Sequence, residues 1–161
     1  MKSTIFLPMV PLLLLSINCQ AAIGEVEGET TCTIIKSLSN KVAREVSCSY
    51  KGLVESSMKH TLSHVRYRLK TGEIFETVDD ATFDIGKLGD MVVLTSPASI
   101  NGLPAKPINI GIESYEVVPE LEMRERRKID NPLFPDVLYC FKLIQHDEAF
   151  CVPYDITELI S

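Results

Sequence analysis

The sequence predicts a mainly β domain, an antiparallel β-sandwich or barrel with two disulfide-stapled hairpins and one short helix. Three observations predict it. Apolar and polar residues alternate with period two over short runs. Gly, Pro and Asn punctuate those runs at close intervals. Four of the five cysteines fall in two pairs, each flanking a polar turn-like centre.

The chain begins with Met1-Lys2 and an apolar run from Ile5 to Ile17, broken only by Pro8, Pro11 and Ser16. Cys19-Gln20-Ala21 then supplies small residues at the −3 and −1 positions of a cleavage site, so residues 1–21 read as an export signal. The run falls short of the roughly 20 apolar residues that span a bilayer. No membrane span is expected after cleavage, and the protein is expected to be exported, either periplasmic or secreted. Residues 22–161 suit one β-rich domain, within reach of the usual size of about 100–150 residues.

Residues 22–29, "AIGEVEGE", read as a loose acidic lead-in. Cys32, Cys48, Cys140 and Cys151 are the cysteines left after the signal, an even set that reads as two disulfides with three possible connectivities. Setting Cys32 opposite Cys48 puts Ile34 against Val46 and Leu38 against Val42 on one face. The turn is then Ser39-Asn40-Lys41, and the register has one blemish, Lys36 opposite Arg44. Setting Cys140 opposite Cys151 puts Phe141 against Phe150 and Tyr139 against Val152, all on the face away from the sulfurs. The loop is then Ile144-Gln145-His146-Asp147. Register favours local pairing, Cys32–Cys48 and Cys140–Cys151, while a cross-pairing that joins the two hairpins stays open.

Between the hairpins, Leu53 to Ser63 reads as a loop or a turn of helix. Val65 to Lys70 alternates apolar and basic residues, and Thr71-Gly72 turns it into Glu73–Val78. Met91–Thr95 is a short β-branched run, Asn101-Gly102 a strong turn signal, and Ile108–Val118 a strand with a bulge or bend at Gly111. Pro119–Lys128 is the expected helix, with Pro at its start, Glu120 and Glu122 early, and Arg126-Arg127-Lys128 late.

The net charge of −6 makes the chain a poor binder of phosphate backbones, so no nucleic acid is expected. His60 and His64 share a face, but no carboxylate or thiol motif completes a ligand set, and no metal or other cofactor is expected. Asp79, Asp80, Asp84 and Asp90 do not have the spacing of a calcium loop. There is no nucleophile motif and no Cys-x-x-Cys, and oxidised cysteines leave no thiol for catalysis. His146-Asp147-Glu148 reads as solvated hairpin-tip residues. The protein is therefore expected not to be an enzyme.

In signal, size and cysteine count the chain resembles small periplasmic inhibitors and immunity proteins of Gram-negative bacteria. That resemblance implies a β-rich, disulfide-stapled module that inserts a loop into a partner protein's active site. It supplies no motif, so it carries no functional residue over. On this reading the contact residues are Asn101, Gly102, Leu103 and Pro104 in one loop and Gln145, His146 and Asp147 in the other. The alternative is a carrier of a small apolar ligand, with a cavity lined by Phe75, Phe83, Tyr115 and Phe141. Ordinary core packing explains the same aromatics.

Overall fold

Alternation of side chains at every second residue lets a curved sheet bury one face and wet the other, and closing the sheet removes its edges. The computed structural model, which describes residues 22–57, 59–85, 91–119, 122–123 and 135–154, takes this solution. Its strands are β1 (Ala22–Ser37), β2 (Val42–Ser57), β3 (His60–Leu69), β4 (Ile74–Ile85), β5 (Met91–Thr95), β6 (Ala98–Ile100), β7 (Leu103–Gly111), β8 (Val137–Leu143) and β9 (Ala149–Pro153). All pairings are antiparallel, in the order β3-β2-β1-β9-β8-β7-β6-β4, and β4 closes the ring on β3. The result is an eight-stranded up-and-down barrel. β5 continues the line of β6 along β4, after a break at Ser96-Pro97.

The interior is set by parity. Cys32 and Ile34 of β1, Val46, Cys48 and Tyr50 of β2, and Val65, Tyr67 and Leu69 of β3 pack with Phe75, Ile100, Ala105, Phe141, Phe150 and Val152. Phe150 lies at the centre, stacked on Phe75 at 4.6 Å between ring centroids and tilted against Tyr67 at 5.0 Å. A second cluster lies outside the wall. Ile35, Ile110, Leu138, Cys140, Ala149 and Cys151 are covered there by Leu38, Ile112 and Tyr115. The turn after β7, with Tyr115 at φ 52°, folds back so that Val117 bridges to Ile110. A third cluster, Met123, Val137 and Tyr154, sits below Tyr139.

Both disulfides pair locally, Cys32–Cys48 and Cys140–Cys151. The second hairpin has the expected register, with Cys140 opposite Cys151, Phe141 opposite Phe150 and Tyr139 opposite Val152. The first does not. Cys32 lies opposite Val46 and Thr30 opposite Cys48, so the disulfide joins a diagonal pair. The same register puts Arg44 opposite Ile34, and the irregularity between Ile35 and Ser37 leaves Lys36 without a cross-strand partner in β2, so the like-charge pair does not arise.

Three other expectations are corrected. The acidic lead-in is strand, because β2 pairs with it from Ala22 onward. Leu53–Ser57 ends β2 and His60–Ser63 begins β3, so these residues are strand rather than loop or helix. The strand expected over Ile108–Val118 begins earlier and stops at Gly111. Gly52 allows β3 its close approach: a Cβ there would lie 2.4 Å from the His64 carbonyl oxygen. Most of the expected helix lies outside the described residues; within them the Met123 amide donates to the Pro119 carbonyl at 3.1 Å.

Candidate functional site

In an up-and-down barrel alternate turns fall at the same end. The turns after β1 (Ser39-Asn40-Lys41), after β3 (Thr71-Gly72), after β6 (Asn101-Gly102) and after β8 (residues 144–148) therefore share one rim, here called the upper rim. The two loops singled out from sequence, Asn101 to Pro104 and Gln145 to Asp147, are neighbours on it. The Ile144 amide donates to the Pro104 carbonyl at 3.1 Å.

Each loop has a local reason for its shape. Asn101 and Gly102 both have positive φ, 51° and 77°, as the two-residue hairpin between Ile100 and Leu103 requires. Asn101 Oδ1 also accepts from the Glu76 amide at 2.8 Å, which ties the hairpin to β4. Asp147 fixes the other loop. Its Oδ2 accepts from the Ser37 hydroxyl at 2.8 Å and the Ser39 amide at 2.9 Å, and its carbonyl accepts from the Leu38 amide. The Ser39 amide and the Ser37 hydroxyl hold the Asp147 carboxyl below its usual pKa. Asp147 is thus a clamp between two hairpins. His146 contributes its carbonyl, which accepts from Lys142 Nζ at 3.1 Å.

Arg44 closes the ring of contacts. Its guanidinium meets both oxygens of Glu73, at 2.6 and 2.5 Å, and Thr71 donates to the same carboxylate. Arg44 was not among the sequence-predicted site residues. It faces inward at the mouth because its partner across β1 is Ile34, a core side chain. The signal for it was parity: it is two residues from Val46.

Around this rim, apolar side chains face solvent: Leu103 is 54% exposed, Ile144 62% and Val42 50%. Isolated exposed apolar residues are ordinary, and these three stand on one rim.

Elsewhere the barrel separates residues that sequence grouped together. Asp79 points inward and accepts from the Tyr139 hydroxyl and, at 2.8 Å, from the Ser96 hydroxyl. Burial pushes the Tyr139 hydroxyl pKa well up, and the nearby Asp79 charge adds to the shift. Asp80 points outward to His60 at 2.6 Å, and His64 meets Glu76 at 2.5 Å. The two histidines do share the outer face of β3, each against one carboxylate. Among the described residues no three potential metal ligands gather. Asp90 lies outside the described residues. The four aromatics named for a ligand cavity are dispersed. Phe75 and Phe141 belong to the interior cluster, Tyr115 covers the outer one, and Phe83 lies further down β4.

The two disulfides point to folding in an oxidising, extracytoplasmic compartment. No family model, curated protein or solved structure matches the chain.

Proposed function

We propose that the protein is an exported binding module that engages a partner protein through its upper rim, in the periplasm or outside the cell. The observation that carries this reading is the ring of cross-strand ties that holds exposed Leu103, Ile144 and Val42 on pre-shaped loops. A loop already ordered in the free protein loses little conformational entropy on association, which favours affinity. The acidic net charge favours encounter with a basic partner, such as a cationic hydrolase whose active site a rim loop would block. Phe150, Phe75 and Tyr67 fill the upper barrel, which supports this reading over carriage of an apolar ligand there.

The test is affinity capture from the native compartment with the wild-type chain, compared with Leu103→Asp/Ile144→Asp and with Leu53→Asp on the outer wall. A protein retained by the wild type and by Leu53→Asp but lost with the rim variant supports the reading. Repeated captures with nothing above background, or equal retention by all three chains, would end it.

A further inference from the structure

One side of the barrel wall is striped by charge. Glu25, Glu27 and Glu29 face outward from β1, and all three are exposed. His64, Arg66, Arg68 and Lys70 face outward from β3 and are exposed as well. β2 runs between them with exposed Ser47, Ser49, Lys51 and Leu53. The two ridges border a trough whose lining includes Glu27, Glu29, Ser49, Lys51, Arg66 and Arg68. Register aligns them in rows: Glu29–Ser49–Arg68, Glu27–Lys51–Arg66 and Glu25–Leu53–His64.

Within one chain the ridges stand two strand spacings apart, about 10 Å, so they do not neutralise each other directly. Lys51 lies 3.8 Å from Glu27, and Arg66 lies 3.7 Å from Glu76 of β4, which also meets His64. These side chains are solvent-accessible, and such pairs are weak enough to exchange partners.

A two-fold axis laid along β2 makes this wall its own complement. Such an axis exchanges the β1 side with the β3 side and keeps each row at its height. Glu29 then faces Arg68 of a second copy, Glu27 faces Arg66 and Glu25 faces His64, and each pairing occurs twice. Leu53, 51% exposed, meets its own copy on the axis, as does Ser49. An axis across the strands would instead set acid against acid and base against base. Glu45 above and Glu55 below would meet their own copies, which bounds the contact to the rows between them. Lys51 is the like-charge contact inside it, and Glu27 on each chain draws that ammonium off the axis.

We propose that the β1–β2–β3 wall is a self-recognition surface through which two copies pair face to face as a two-fold dimer. The face is three strands wide and each chain carries a net charge of −6, so the dimer is a weak one. It lies on the side of the barrel and shares no residue with Leu103, Ile144 and Val42 of the rim.

The test follows the mass of the folded chain by sedimentation equilibrium from about 1 μM to 1 mM. The wild type should approach twice the monomer mass. Glu27→Arg/Glu29→Arg and Arg66→Glu/Arg68→Glu should each weaken self-association at least about tenfold, because the facing pairs in two rows become like-charged. Mixed together, these two variants should recover the wild-type affinity as a heterodimer, which a merely unstable variant would not do. Ser49→Cys, on the axis, should cross-link to itself under mild oxidation, whereas Lys106→Cys on β7 should not. That arm stands even where a charge reversal fails to fold. Leu103→Asp/Ile144→Asp should dimerise as the wild type does, which separates this surface from the rim. A wild type that stays monomeric throughout, or a dimer untouched by either reversal, would overturn the proposal. So would failure of the folded variants to pair on mixing, or equal cross-linking at both positions.

Discussion

At the upper end of the barrel each turn is tied to a neighbour, whereas among the described residues the first ten of β1 pair with a single strand, β2. The upper ties join residues far apart in sequence, such as Ser37 with Asp147 and Glu76 with Asn101, so they exist only once the barrel has closed. The lower stretch of β1 relies on a hairpin ladder to a nearby strand. Closure brings the upper turns into contact with one another, whereas among the described residues Ala22–Thr31 pairs with β2 alone.

The largest effect that separates them should come from the interior. Phe150→Ala removes the ring on which Phe75 and Tyr67 pack, and should cost about 3–5 kcal/mol in urea unfolding. Leu53→Ala, on the exposed outer wall, should stay within about 0.5 kcal/mol. Similar losses for both would mean that the interior is not the stabilising centre.

Removing the upper hairpin's staple comes next. Cys140→Ala/Cys151→Ala should lower stability by about 2–4 kcal/mol in calorimetry, since the bond restricts the unfolded chain. An unchanged melting temperature would show that the β8–β9 ladder alone suffices.

Asp147→Ala should produce a smaller, pH-dependent loss. The carboxyl's folded pKa is depressed below its ordinary 3.8, so the stability it contributes is present above that value and lost as pH falls through the folded one. The gap in melting temperature between wild type and variant should be full at neutral pH and shrink below about pH 4. Ser39 amide exchange should accelerate in the variant. A gap that persists unchanged into strong acid would remove the clamp from the account of the rim.

The smallest effect is expected at the exposed pair on the lower sheet. Lys51→Ala breaks a 3.8 Å contact between two solvated side chains and should change stability by less than about 0.5 kcal/mol. A larger loss, measured by chemical denaturation, would mean that the lower end is bound more firmly than one hairpin ladder implies.

Part of this architecture was legible before any coordinates. Tyr139, Cys140 and Phe141 mirror Phe150, Cys151 and Val152 about a polar tip, and a bond between directly opposed cysteines fixes the register. The same reasoning put the first hairpin two residues out, because its disulfide joins diagonal neighbours, a geometry that sequence spacing does not distinguish from direct opposition. Residues 22–29 were misread because Gly and Glu are poor strand formers, and pairing with β2 overrides that weak preference. Period-two alternation of Glu25, Glu27 and Glu29 with Gly24, Val26 and Gly28 was the available signal. The rim residues Asn101 and Asp147 were identifiable as turn residues, but not as neighbours.

The sequence by itself determined the fold class, the faces of its strands and the local pairing that register favours for its cysteines. Those follow from side-chain alternation and turn chemistry, which act over a few residues. The tertiary structure alone decided that β9 closes on β1 at Thr33, Ile34 and Ile35, and that Ser37 and Asp147 share a rim. These outcomes depend on how far each strand runs once the ring is closed, and strand stagger is set by packing of the whole interior rather than by any one segment.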